Sequence, residues 1–229
     1  AMPQYSPDGK EIAFIEGRNR LMVLNIATGK VRQVTDGTLW MSRRGGFSYA
    51  WSPDGKWFTL SIIGNKRDPY TDVAVVPAQG GTVTNITQSA YTSSAPRWVM
   101  DGNAILFANE RYGMRNHASW GSEEDIFLVF MNQDAYDRFR LSEEDYRLLK
   151  ELEDANKKKS VADSAKKLAD KKKDSGKKKA ATEAVKKDGK DEAAKTKDIV
   201  VELDGITDRI VRLTPNSSNL YDGALSKDG

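Results

Sequence analysis

The stretch "YSPDGKEIAF", residues 5–14, returns as "WSPDGKWFTL" at 51–60 and, more loosely, as "WVMDGNAILF" at 98–107. A fourth start, "LSKDG", stands at 225–229. The glycines of the first three copies, Gly9, Gly55 and Gly102, lie 46 and 47 residues apart. The likeness reaches past the turn. Residues 2–14 align without gaps on 95–107, setting Pro3 on Pro96, Tyr5 on Trp98, Asp8 on Asp101, Ile12 on Ile105 and Phe14 on Phe107.

Each part of the unit has a physical role. Proline pre-sets φ at the first corner of a turn, Asp can bond the turn's own backbone, and Gly takes the positive φ that closes it. The aromatic before the corner and the apolar run after it then fall on paired strands. A turn at 17–20 follows, then a strand "LMVLNI" (21–26), a "TGK" turn (28–30) and a last strand "VRQVT" (31–35). The second unit repeats the scheme with 57–63, 72–78, the Gly80-Gly81 turn and 83–87. Four strands in up-and-down order every 40 to 50 residues are the pattern of a β-propeller blade. The expected fold class is therefore all-β: a partial β-propeller of four-stranded antiparallel blades. Such a sheet cannot cover both of its own faces. Trp51, Trp57, Trp98, Phe14 and Phe107 accordingly read as blade-to-blade packing.

The third unit starts normally with 104–109 and 125–132, but its last strand, "DRIVRLT", comes only at 208–214. The interruption sits where the first unit has a three-residue turn, and lengthening a surface loop costs only about 0.6 kcal/mol per doubling. Within it, "LSEEDYRLLKELEDA" (141–155) predicts a helix with Ser142 as N-cap, acids in the first turn and Leu141 able to staple onto Tyr146. Beyond Asn156 the sequence reduces to Lys, Ala, Asp and Gly without an aromatic, which predicts a disordered tether or a solvated helix. The domain reading is a blade over 1–35 with its first strand truncated, a blade over 36–87, and an interrupted blade made of 88–132 plus 198–215. A helical and Lys-rich insertion fills 133–197, and 216–229 begins a further blade.

Residues 157–197 hold 16 Lys and 7 acids, a net +9, so the rest of the chain is net −6 although the whole is +3. The basic balance thus belongs to one segment and gives no reason to expect nucleic acid as a partner. With no Cys, disulfides and thiolate chemistry are excluded, and no apolar run reaches the ~20 residues that span a bilayer.

No catalytic residue is read from this chain. A hydrolase triad needs a nucleophile, a base and an orienting acid, and the one histidine, His117, sits in a Gly- and Arg-containing loop without a G-x-S-x-G elbow anywhere. No metal or cofactor site is expected either. Asn85 and Asn216 fit the glycosylation sequon by chance, Asn85 inside a predicted strand. Strand order is more informative. The Pro-Asp-Gly turns and the insertion share one rim, while second-to-third links and inter-blade links share the other. That second rim gathers Trp40, Met41, Arg43, Arg44, Tyr91, Arg111, Tyr112, Met114, Arg115, His117 and Trp120. Arginine beside aromatics is the usual make-up of a contact surface. Trp40, Arg43, Arg44, Arg111, Tyr112, Arg115, His117 and Trp120 are the candidate residues for contact with a peptide or a neighbouring domain.

The interrupted blade closing on "DIVVELDGITDRIVRLT" (198–214), with "GMRNHASWGSEEDIF" (113–127), "NQDAYDRFRLSEEDY" (132–146) and the Lys-rich insert, resembles the propeller region of bacterial tricorn-type serine peptidases. That resemblance implies a segment that gates or guides peptides toward a C-terminal catalytic domain beyond this chain. Its implied partners are the remaining blades, a PDZ-like module, the catalytic domain and further copies in a homo-oligomer. The alternative is a stand-alone TolB-like propeller acting as a protein-binding module. A prolyl-oligopeptidase propeller is a third reading, against which the insertion speaks. The compartment is open: cytoplasmic by analogy with tricorn, or periplasmic if a signal peptide precedes Ala1.

Overall fold

A computed structural model describes residues 2–37, 39, 48–64, 68, 70–115, 121–174, 197–220 and 223–225, apart from the side chains of 157 and 160–174. They form two compact units, one of residues 1–136 with 196–229, the other of residues 137–195.

The first unit holds three four-stranded antiparallel sheets, each in simple sequence order. Sheet one is β1 (Gln4–Tyr5), β2 (Glu11–Glu16), β3 (Arg20–Asn25) and β4 (Val31–Gln33). Sheet two is β5 (Tyr49–Trp51), β6 (Trp57–Ile62), β7 (Asp72–Pro77) and β8 (Thr84–Asn85). Sheet three is β9 (Ser93–Val99), β10 (Ala104–Asn109), β11 (Asp125–Phe130) and β12 (Ile210–Arg212). The chain is a partial β-propeller.

Period-two alternation explains the stacking. On β7, Ala74 and Val76 join the core shared with sheet one, where they meet Ala13, Ile15, Leu21 and Val23. Val73 and Val75 point the other way, into the core shared with Ile105, Phe107, Phe127 and Val129 of sheet three. Covered on both sides, "DVAV" and "V" at 72–76 are buried at every position. Sheet one is covered on one side only, so Ile12, Phe14, Met22 and Leu24 stay half-exposed. Trp51 and Phe107 are buried, and Trp57 and Trp98 pack at the edge of the second core.

The first two repeated corners are the same object. Ser6 Oγ donates to Asp8 (2.7 Å) and accepts from the Glu11 amide (2.9 Å); Ser52 Oγ does so with Asp54 (2.5 Å) and Trp57 (2.9 Å). The third corner departs from the expected turn. With Met100 in place of proline, the backbone passes through φ 52°, 53° and 90° at Met100, Asp101 and Gly102. Proline's fixed φ near −65° forbids that route. A side chain at Gly102 would collide with Ile199, part of the segment returning from the insertion.

The structure revises the expected elements at two further places, and extends a third. The strand expected over 208–214 is shortened to Ile210–Arg212, because Ile206–Arg209 turns as a 3₁₀ helix. An unforeseen helix α1 covers Gln133–Phe139, opened by the Asn132 side chain accepting from the Ala135 amide (2.8 Å). Helix α2 spans Glu143–Asp174, well past Ala155. Ser142 does cap it, accepting from the Asp145 amide (3.1 Å). Tyr146 takes the Arg138 guanidinium over its ring at 5.5 Å, and Arg138 also pairs with Glu153 (2.6 Å). The "LSKDG" echo at 225–229 lies outside the described residues except for Leu225, which packs on the free face of sheet three.

Candidate functional site

Of the candidate rim residues, Arg111, Tyr112 and Arg115 are described; Trp40, Arg43, Arg44, His117 and Trp120 lie outside the described residues, as does Met41. The three occupy the link between β10 and β11. A bridge between Arg115 and Ser122, and the Glu123 amide bonding the Met114 carbonyl (3.0 Å), turn this link into a narrow hairpin. Gly113 permits it, since a Cβ there would run into the Glu123 backbone.

Two guanidinium–ring stacks stand here. Arg115 lies over Tyr91 of the β8–β9 link, 5.2 Å from the ring centre. Arg111 (5.6 Å) and Arg212 (4.9 Å) both lie against Tyr112, which in turn stacks at 6.2 Å on Phe127 of β11. The structure therefore brings Arg111, Tyr112, Arg115 and Tyr91 to one edge of the third sheet. The two aromatic platforms fix the arginines in place, each stack worth about 0.5–1 kcal/mol at an exposed position. Arg111, Tyr112 and Arg115 remain exposed, and among the described residues no carboxylate pairs with Arg111 or Arg115.

Arg212 is the member that rim reasoning missed, because it belongs to a fourth strand rather than a loop. It also pairs with Asp125 (2.8 Å), a fully buried carboxylate that further accepts from Thr214 (2.7 Å) and Ser217 (2.8 Å). Burial pushes the Asp125 carboxyl up, but the bonds from Thr214, Arg212 and Ser217 outweigh it and hold the group below the usual carboxylate range. Asp72 at the same place in sheet two accepts from Asn85 (2.8 Å) and Thr87 (2.8 Å). In each sheet a threonine closes the fourth strand by accepting from a third-strand amide: Thr35 from Leu21 (2.9 Å), Thr87 from Val73 (3.0 Å) and Thr214 from Ile126 (3.2 Å). The signal was present in the repeats, as "QVT", "NIT" and "RLT" ending each unit.

On the opposite rim, the Ile199 amide donates to Asp54 (2.9 Å) and Lys56 pairs with Asp198 (2.6 Å), so the returning segment crosses the second sheet's corner. Arg209 is buried and donates to the carbonyls of Phe130 (3.2 Å), Asp204 (3.0 Å) and Glu202. Burial pushes the Tyr49 phenol up to about 12; its hydroxyl lies against the Ala13 and Met2 carbonyls and acts as a structural tie. Among the described residues no His, Cys, Asp and Glu cluster is suited to a metal ion, and no helix is long and apolar enough to cross a membrane.

By fold the chain belongs to the class of β-propeller segments, and the comparisons with known proteins agree. It resembles the crystal structure of the tricorn protease over 94% of its own length and 17% of that chain, with a TM-score of 0.54 at 10% identity. A smaller likeness, TM-score 0.39 at 20% identity over 57% of this chain and 30% of the other, is to TolB from Acinetobacter baumannii. In sequence it is 26% identical over 113 residues to the "Uncharacterized peptidase YuxL" of Bacillus subtilis (strain 168), which is 45% of this chain and 16% of that protein's length. No protein-family model matches.

Proposed function

We propose that the chain is a non-catalytic propeller segment of a tricorn-like serine peptidase and that its Arg–Tyr rim contacts peptide on the way to a catalytic domain, or docks that domain. The single observation carrying this reading is the pair of stacks at the β10–β11 hairpin: the guanidinium groups of Arg111 and Arg115, set against aromatic rings, exposed, and paired with no carboxylate among the described residues. Pre-ordered side chains lose little rotamer freedom on binding, which is why arginine and tyrosine concentrate at contact surfaces. The similarity in fold to the tricorn protease and in sequence to a protein named as a peptidase supports the enzymatic context. Residues 216–229 would begin the next blade, in keeping with Leu225 packing on the free face of sheet three.

The test is Arg111→Ala with Arg115→Ala in the full-length parent protein, reading peptide turnover and thermal unfolding together. A fall in kcat/KM of about thirtyfold, with unfolding unchanged, is expected, since each of the two lost contacts is worth about 1 kcal/mol. Turnover and assembly both identical to those of the unaltered protein would discard the rim.

A further inference from the structure

The chain leaves each sheet through a tie at one repeated place. That place lies two residues before the third-strand residue whose amide meets the closing threonine: Asn19 before Leu21, Thr71 before Val73 and Glu124 before Ile126. In the first two sheets the side chain there donates to a carbonyl of the departing chain. Asn19 reaches Gly37 (2.6 Å), just past β4, and Thr71 reaches Ser93 (2.7 Å), where β9 begins. In the third sheet the backbone part of the tie is kept, because Glu124 donates to the Ser218 carbonyl (2.9 Å) and accepts from its amide (3.2 Å). The side chain, however, is now a carboxyl. A carboxylate only accepts, whereas a carboxylic acid accepts at one oxygen and donates from the other.

The surroundings of Glu124 favour the acid form. Its side chain lines a hollow on the free face of sheet three, with Ser94, Arg97 and Leu106 of that sheet and Leu220 and Gly223 of the departing chain. A bulge opens the hollow: Ala95 and Pro96 together stand opposite Phe107, with Ala95 at φ 50°. The Ser94 hydroxyl bonds the Glu124 carboxyl, and Glu110, one residue past β10, sets a like charge near it. Burial and that charge outweigh the Ser94 bond and push the carboxyl up. Arg97 is the one cation among the described lining residues, and it pairs with neither Glu110 nor Glu124.

We propose that Glu124 is a pH-governed tie between the third sheet and the chain that leaves it. Protonated, it donates to a carbonyl of the departing chain, as Asn19 and Thr71 do at the other two exits. Its second oxygen then still accepts from Ser94. Ionised, it has nothing to donate and repels Glu110, and the exit loosens. The tie is therefore complete below the folded value of Glu124 and is lost as pH rises through it. The exits of sheets one and two rest on an amide and a hydroxyl, which do not titrate, so they keep their ties throughout. None of this depends on what the arginine rim contacts.

Amide hydrogen exchange on the full chain, corrected for the intrinsic rate at each pH, reads every exit separately. At the third exit the Ser218 amide bonds the Glu124 carbonyl and the Leu220 amide bonds the Ser218 carbonyl. Both should be about tenfold better protected at about pH 4 than at about pH 8. The Ser93 amide, which bonds the Thr71 carbonyl at the second exit, should not change. Glu124→Gln donates at every pH and should hold the higher protection at both. Glu124→Ala should hold the lower protection at both. Glu110→Gln removes the like charge and should move the response to lower pH. The proposal is overturned if Ser218 and Leu220 respond to pH as strongly in Glu124→Gln as in the unaltered chain, or if that variant protects them no better at about pH 8. A Ser93 amide that follows the same pH course would overturn it too, because the response would then belong to the whole molecule and not to this exit.

Discussion

In the first sheet the third and fourth strands are joined by five residues, 26–30; in the third sheet the equivalent strands are joined by 79, residues 131–209. The pairing is nevertheless alike. Met22, Val23 and Leu24 face Gln33, Arg32 and Val31, just as Phe127, Leu128 and Val129 face Arg212, Val211 and Ile210. Closing the longer link costs about 2.5 kcal/mol more by loop entropy. The far ends of the strands show what offsets it. The first sheet has Arg20, not a carboxylate, at the start of its third strand, with Thr35 as the clasp at that end and Arg32 of the fourth strand paired with Glu11. The third sheet has buried Asp125 gathering Thr214, Arg212 and Ser217, and a buried Arg209 gathering three carbonyls at the near end. The fourth strand of a blade is thus fixed by side chains at its ends, and the turn between becomes free to grow.

That contrast can be broken most severely at Asp125. Asp125→Ala leaves the half-buried Arg212, Thr214 and Ser217 without their shared acceptor and should cost about 3 kcal/mol in urea unfolding. Arg209→Ala should cost about 2–3 kcal/mol, because three carbonyls lose their donor. Thr35→Val removes one hydrogen bond from the sheet with the short turn and should cost only about 1 kcal/mol. A Thr35 effect as large as the Asp125 one would remove the distinction between the two sheets. The smallest expected effect is in pH. Asp125 is held low, so its stabilisation is complete above the ordinary carboxylate range near pH 4 and is lost as pH falls through its folded value. Glu124 is pushed the other way by burial and by the Glu110 charge, so stability should rise slightly as pH falls from neutral through its folded value. Urea midpoints from pH 7 to 3 should show that shallow rise and then a drop, and Glu124→Gln should flatten the rise alone.

The three sheets were readable from the sequence because Pro-Asp-Gly corners and alternating apolar runs act locally, at a fixed period. The fourth strand beyond the insertion was readable because "DRIVRLT" repeats "VRQVT". Less local features were not. The third corner's left-handed backbone depends on Met100 and on Ile199, nearly a hundred residues on. Helix α1 is a seven-residue segment whose start rests on a single Asn132 cap. At the rim, sequence spacing brought Arg111, Tyr112 and Arg115 to one edge, but the second cation on Tyr112 came from a strand, and a loop census cannot see it.

The most direct measurement of how the interrupted sheet is held is amide hydrogen exchange at Ile126 and Leu213, the bonds that close β11 on β12. It would be compared between a chain with residues 137–195 replaced by a short Gly-Ser link and a chain carrying Asp125→Asn. Protection should survive the excision within about tenfold and fall by about a hundredfold or more in Asp125→Asn. Loss of protection on excision, with Asp125→Asn left protected, would mean that the insertion itself, rather than the buried carboxylate, holds the third sheet together.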